Sequence, residues 1–135
     1  MKIEFRLPEL AEVAARLWEL CPSAQVFAFY GNLGVGKSTL IREMLRHKGV
    51  DEAVPSPTFA LVQTYRDRFH HFDLYRIKGY DEFCHAGLEE IMLSGTSFVE
   101  WPEILEGRVD AVKIKLEYGA ENDARVLYLC DNNQR

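Results

Sequence analysis

Apolar and polar residues alternate from Ile3 to Leu7, which predicts a short strand, and Pro8 follows where the first turn of a helix tolerates it. Leu10, Val13, Ala14, Leu17, Trp18 and Cys21 then recur at i, i+3, i+4, i+7, i+8 and i+11, one apolar stripe of an amphipathic helix that Pro22 closes. Trp18 lies on that stripe and is expected in the core. The run Val26-Phe27-Ala28-Phe29-Tyr30 is apolar at both alternating sets of positions, as a central, mostly parallel strand requires. It leads directly into Gly31.

Leu40, Ile41, Met44 and Leu45 predict a second helix that ends near Lys48-Gly49, with basic residues in its last turn. Pro55-Ser56-Pro57 breaks the pattern. Phe59 to Tyr65 and Phe69 to Tyr75 read as two strands of a hairpin joined by Arg66-Asp67-Arg68. Residues 80 to 93 read as helical and Ser97 to Glu100 as a short strand. A second hairpin is expected from Val112 to Glu117 and Arg125 to Leu129, around residues 119 to 123. Strands alternating with helices predict a single α/β domain over residues 1–135, with a mostly parallel central sheet, antiparallel hairpins and helices on both faces.

Composition narrows the function classes. The chain has 135 residues, enough for one core, and 47% hydrophobic residues exclude global disorder. Lys and Arg number 16 against 21 Asp and Glu, a net charge of -5, so the chain does not wrap nucleic acid or coat an anionic membrane by itself. Cys21, Cys84 and Cys130 are odd in number and widely spaced, which argues against a disulfide framework or a zinc site and for a reducing compartment. No run approaches the ~20 apolar residues of a membrane span, and the start lacks a signal-peptide pattern, so a cytoplasmic protein is expected.

Gly31-Asn32-Leu33-Gly34-Val35-Gly36-Lys37-Ser38 matches GxxxxGK[ST], the Walker A pattern, between a predicted strand and a predicted helix. That context matters because backbone N–H groups of the loop and the helix N-terminus must converge on phosphate. Glycines allow the dihedrals and close approach that a Cβ obstructs. Lys37 is expected at the β- and γ-phosphates, Ser38 on Mg²⁺, and Thr39 in the supporting first turn.

A neighbouring strand end should supply an acid to the metal. Glu100, after Ser97-Phe98-Val99, is the first candidate and Asp73, in His71-Phe72-Asp73, the second; one can serve the metal and the other the attacking water. His70 and His71 are adjacent on a strand, point to opposite faces, and are expected in hydrogen-bonding rather than metal-binding roles. Ser56 and Thr58 lie where a switch loop would sense a γ-phosphate, although a Pro-rich turn also describes them. Neither NKxD nor DxxG occurs, which argues against GTP as sole ligand. A small-molecule kinase and a nucleotide-gated binding module without useful catalysis stay open beside an ATPase.

Five blocks together resemble the bacterial TsaE (YjeE) family: Gly31 to Leu40, Ser56-Pro57-Thr58-Phe59, His71-Phe72-Asp73-Leu74-Tyr75-Arg76, Gly87-Leu88-Glu89-Glu90 and Val99-Glu100-Trp101-Pro102-Glu103. The resemblance covers nearly the whole chain. It implies a P-loop NTPase-like fold, binding of ATP and Mg²⁺, weak ATP hydrolysis, and a place beside TsaD and TsaB in making threonylcarbamoyladenosine next to the anticodon of tRNAs reading ANN codons. Contact with tRNA would be indirect, with the transferase centre in TsaD. By position, the resemblance puts Lys37 and the loop on the phosphates, Ser38 and Glu100 on Mg²⁺, Asp73 on water or metal, and Thr58 in the switch-like loop. It puts Trp101 beside the nucleotide, and Tyr75 and Arg76 near a partner-facing or phosphate-sensing surface. Relatives often carry Thr at Ser38, Asp at Asn32, and Gly-Arg in the last hairpin where this chain reads Glu121-Asn122-Asp123. No nucleotide-contacting arginine is therefore carried over to that hairpin, and no adenine contacts are assigned.

Overall fold

The computed structural model describes residues 1–51 and 61–130. Strand β1 is Lys2–Arg6, and a short 3₁₀ turn, Leu7–Glu9, leads into helix α1, Leu10–Leu20. Strand β2, Val26–Tyr30, passes through the glycine-rich loop into helix α2, Lys37–His47. The hairpin of β3, Val62–Tyr65, and β4, Phe69–Asp73, is followed by helices α3, Tyr80–His85, and α4, Leu88–Met92. Strand β5, Thr96–Glu100, a 3₁₀ turn at Pro102–Leu105, and the hairpin of β6, Val112–Tyr118, and β7, Ala124–Cys130, complete the order.

The seven strands form one sheet in the order β1-β7-β6-β2-β5-β4-β3. The middle four, β6, β2, β5 and β4, run parallel, whereas β1 pairs β7, β7 pairs β6 and β3 pairs β4 antiparallel. The sheet is therefore parallel in the middle and antiparallel toward both edges, in keeping with the expected parallel centre and antiparallel hairpins. Connection length is the reason. Arg66 and Asp67 both adopt positive φ, 55° and 56°, the geometry of a tight turn that returns the chain antiparallel.

Alternation along the central strands separates two cores. Phe27, Phe29, Phe98, Ile114 and Leu127 meet α1 and α2 on one face, and Val26, Phe72 and Val99 meet α3 and α4 on the other. Each such large apolar side chain contributes roughly 1.5–3 kcal/mol on leaving water. Trp18 packs edge-on against Phe27, 5.5 Å between ring centroids, and its Nε1 donates to the Met44 carbonyl at 2.9 Å, which satisfies its one polar atom. The helix expected over residues 80 to 93 is two helices. Gly87, at φ 76°, takes a left-handed conformation that ends the first and starts the second. Among the described residues, no helix is long and apolar enough to cross a membrane.

Candidate functional site

The site lies at the carboxyl ends of β2, β4 and β5. Gly31, Gly34 and Gly36 carry φ values of 146°, 83° and 116°, and Gly36 stands immediately before α2. A tight turn closed by Val35 N–H on the Asn32 carbonyl, 3.1 Å, brings Leu33 to the outside, where it is 83% exposed. Thr39 follows Ser38 in the first turn of α2.

Lys37 is buried. Its ammonium donates to the Gly31 carbonyl at 2.6 Å and lies 4.0 Å from the centroid of the Trp101 ring. Burial lowers its pKa, while the negative charges of Glu100, Glu103 and Asp73 act in the opposite sense. Trp101 reaches this position from a left-handed backbone, φ 57°, a conformation that costs a bulky residue energy, and its ring also meets Tyr75 at 5.0 Å.

Ser38 Oγ lies 2.8 and 3.0 Å from the two carboxylate oxygens of Glu100, so a hydroxyl of α2 meets a carboxylate of β5. Glu100 is itself buried, and His71 Nε2 of β4 contacts its Oε2 at 2.6 Å. Burial is the strongest single influence on the Glu100 carboxyl and pushes its pKa up. The His71 bond and charge, Ser38 and Lys37 outweigh it, and the carboxyl sits below its ordinary value. Asp73 is the register partner of Glu100 across β4 and β5, and its Oδ1 accepts the Tyr75 N–H at 3.0 Å. The structure thus brings together Gly31 to Thr39, Asp73, Glu100 and Trp101. Ser56 and Thr58 lie outside the described residues.

His70 and His71 do point to opposite faces. His70 Nδ1 pairs with Thr64 Oγ1 at 2.9 Å and Nε2 with Ser94 Oγ at 3.0 Å, a purely hydrogen-bonded setting. Among the described residues, no three His, Cys, Asp or Glu side chains form a metal-binding group. Glu89 of the fourth sequence block accepts bonds from Tyr80 and Cys84, at 2.7 and 3.0 Å, away from the loop.

Arg125 is the residue that sequence reasoning passed over. It is buried in β7, donates from Nε to the Val35 carbonyl of the loop at 2.9 Å, and donates from Nη1 to the Asn122 and Ala124 carbonyls at 2.8 Å each. The signal was available: Arg125, Leu127 and Leu129 share the inward set of the alternation, and an arginine there needs buried acceptors. Beside it a cleft of about 530 Å³ opens between Leu7, Pro8, Leu10 and Ala11 on one wall and Gly34, Gly36 and Thr39 on the other.

Fold and site together define a mixed α/β protein that presents a lysine and a hydroxyl on one strand–loop–helix turn and sets against them a carboxylate from the end of the neighbouring strand β5. A model of the family described as threonylcarbamoyl adenosine biosynthesis protein TsaE matches residues 6–127. The tRNA threonylcarbamoyladenosine biosynthesis protein TsaE of Rickettsia bellii is 40% identical over 80 residues, a segment spanning 56% of this chain and 56% of that protein. Its namesake in Rickettsia felis is 32% identical over 120 residues, 84% of this chain and 70% of that protein. The crystal structure of Bacillus subtilis YdiB has a similar fold, with a TM-score of 0.72 over 99% of this chain and 87% of that one at 23% identity. The chain belongs to the TsaE family.

Proposed function

We propose that this protein is a P-loop ATPase of low intrinsic turnover that serves the formation of threonylcarbamoyladenosine in tRNA, in the cytoplasm and together with TsaD and TsaB. The observation that carries the reading is the pairing of Ser38 with Glu100 beside the buried ammonium of Lys37, at the mouth of a glycine-rich loop. In-line attack of water on the γ-phosphate yields ADP and phosphate. Lys37 leaves the Gly31 carbonyl for the β- and γ-oxygens and balances the charge that develops there. Asp73, the register partner of Glu100 at the end of β4, accepts a hydrogen bond from the attacking water and orients it.

The donor set suits magnesium. A hydroxyl and a carboxylate are hard oxygen ligands, and two protein donors leave the remaining positions to phosphate oxygens and water. Ser38 and Glu100 would hold the ion, which when bound supplies positive charge across the phosphate oxygens. The cleft beside Thr39 would take the nucleoside, with Leu7 and Pro8 as a wall for the base.

Arg125 braces the loop on this reading. Arg125→Met is expected to weaken ATP-analogue binding about 10-fold, because it leaves the Val35 carbonyl without its donor where loop geometry sets phosphate contacts. Titration with a fluorescent ATP analogue measures this, and affinity equal to wild type would remove Arg125 from the site.

Phosphate release by the purified protein, alone and with TsaD and TsaB, tests the function as a whole. Slow turnover alone and faster turnover in the mixture is the expected result. Turnover indifferent to those proteins counts against a partner-completed ATPase, and phosphate recovered on an acceptor instead of free in solution would mark a kinase.

A further inference from the structure

His71 is 1% exposed and, among the described residues, its ring makes one hydrogen bond, from Nε2 to Glu100 Oε2 at 2.6 Å. Its Nδ1 is buried and has no hydrogen-bond partner among the described residues. A phenylalanine or leucine would fill the same space without an orphaned nitrogen, so packing does not explain an imidazole here. The ring is in place for the sake of Nε2. A carboxylate oxygen only accepts, so Nε2 is the donor and the ring is held against one named oxygen.

Register explains how it gets there. In the parallel pairing of β4 and β5, His71 lies opposite Phe98 and Asp73 opposite Glu100. His71, Asp73, Phe98 and Glu100 therefore share the sheet face that carries α2, and His71 reaches Glu100 along the diagonal. Ser38 Oγ bridges both carboxylate oxygens, 3.0 Å from Oε1 and 2.8 Å from Oε2. When the hydroxyl turns its lone pairs to a cation, that bridge is loosened, whereas the His71 bond does not depend on Ser38.

We propose that His71 is the positioning residue of the magnesium site: by holding Oε2 of Glu100 it fixes the carboxylate rotamer and leaves Oε1 to the cation. The inference rests on the reading of Ser38 and Glu100 as magnesium ligands. Loss of the donor leaves the phosphate contacts of the loop intact and weakens only the gain in nucleotide affinity that magnesium brings. Partners of metal ligands affect metal affinity by about 10- to 100-fold when removed, which sets the expected size.

The test is a titration of a fluorescent, non-hydrolysable ATP analogue, in EDTA and at increasing magnesium chloride, on wild type, His71→Leu, His71→Gln and Glu100→Gln. His71→Leu should need about 10-fold or more magnesium to reach half of the gain, with affinity in EDTA within about twofold of wild type. His71→Gln, whose amide nitrogen falls near the Nε2 position, should recover to within about threefold. Should His71→Leu fail to fold, His71→Asn, whose amide falls at the Nδ1 position, takes its place and should behave as donor-less. Wild-type magnesium dependence in the donor-less variant, with dependence lost in Glu100→Gln, overturns the role of His71 alone. Magnesium dependence unchanged in Glu100→Gln overturns the ligand assignment, and the positioning role with it.

Discussion

Lys37→Ala is expected to lower ATP hydrolysis about 100- to 1,000-fold, the loss that follows removal of one preorganised donor from a developing oxyanion. The ammonium is already desolvated: Lys37 is 5% exposed, and burial depresses its pKa against the pull of Glu100, Glu103 and Asp73. On the proposed function, a triphosphate would bring negative charge to this ammonium in a setting that screens little, so the attraction would be worth more than the same contact in water. The bond to the Gly31 carbonyl and the contact with Trp101 hold the side chain beside the loop beforehand, which limits the entropy lost on binding. Arginine is not expected to restore turnover, because a planar guanidinium does not occupy the place of a compact ammonium between a carbonyl and an indole face. Single-turnover phosphate release measures the effect, with a urea melt to establish that the variant is folded. Turnover within about threefold of wild type would take Lys37 out of the chemistry.

Elements set by local pattern were legible in the chain: β2 from its continuous apolar run, α1 and α2 from their stripes, and both hairpins from turn residues between alternating segments. The loop was legible because its glycines stand where the turn needs positive φ. Pairing across the sheet was not. β1 sits at the edge against β7, more than 100 residues away in the chain, and nothing in Lys2–Arg6 specifies that neighbour. The same limit applied to the site. Glu100 and Asp73 each ended a plausible strand, and only the register of β4 on β5 placed them side by side, with Glu100 the one that meets Ser38. His71 and Arg125 act through partners 29 and 90 residues away, so their types were visible but their purposes were not. The left-handed backbone of Trp101 left no trace in sequence, since tryptophan does not favour it.

Gly31→Ala is expected to be the most damaging substitution in the loop, costing about 2–5 kcal/mol of stability and abolishing nucleotide binding in the protein that still folds. Two costs add. At φ 146° an L-residue is strained, and a Cβ on Gly31 would stand 2.7 Å from the Leu116 carbonyl oxygen and 3.0 Å from Val35 Cγ1. The first contact is with backbone of β6, which is held to β2 by parallel pairing of Phe29 with Ile114 and Tyr30 with Lys115. It has no rotamer through which to yield. Relief requires the loop to slide off β6 or the Gly31 peptide to turn, and either movement takes away the carbonyl that receives Lys37. Gly36→Ala is the informative comparison: its φ of 116° imposes strain, yet no atom lies within 4 Å of the added Cβ, so only the dihedral cost applies, about 1–3 kcal/mol. Urea melts of the two variants should rank Gly31→Ala below Gly36→Ala and both below wild type. Equal midpoints for the two would mean that the approach of the loop to β6 contributes nothing, and that dihedral freedom alone accounts for glycine at position 31.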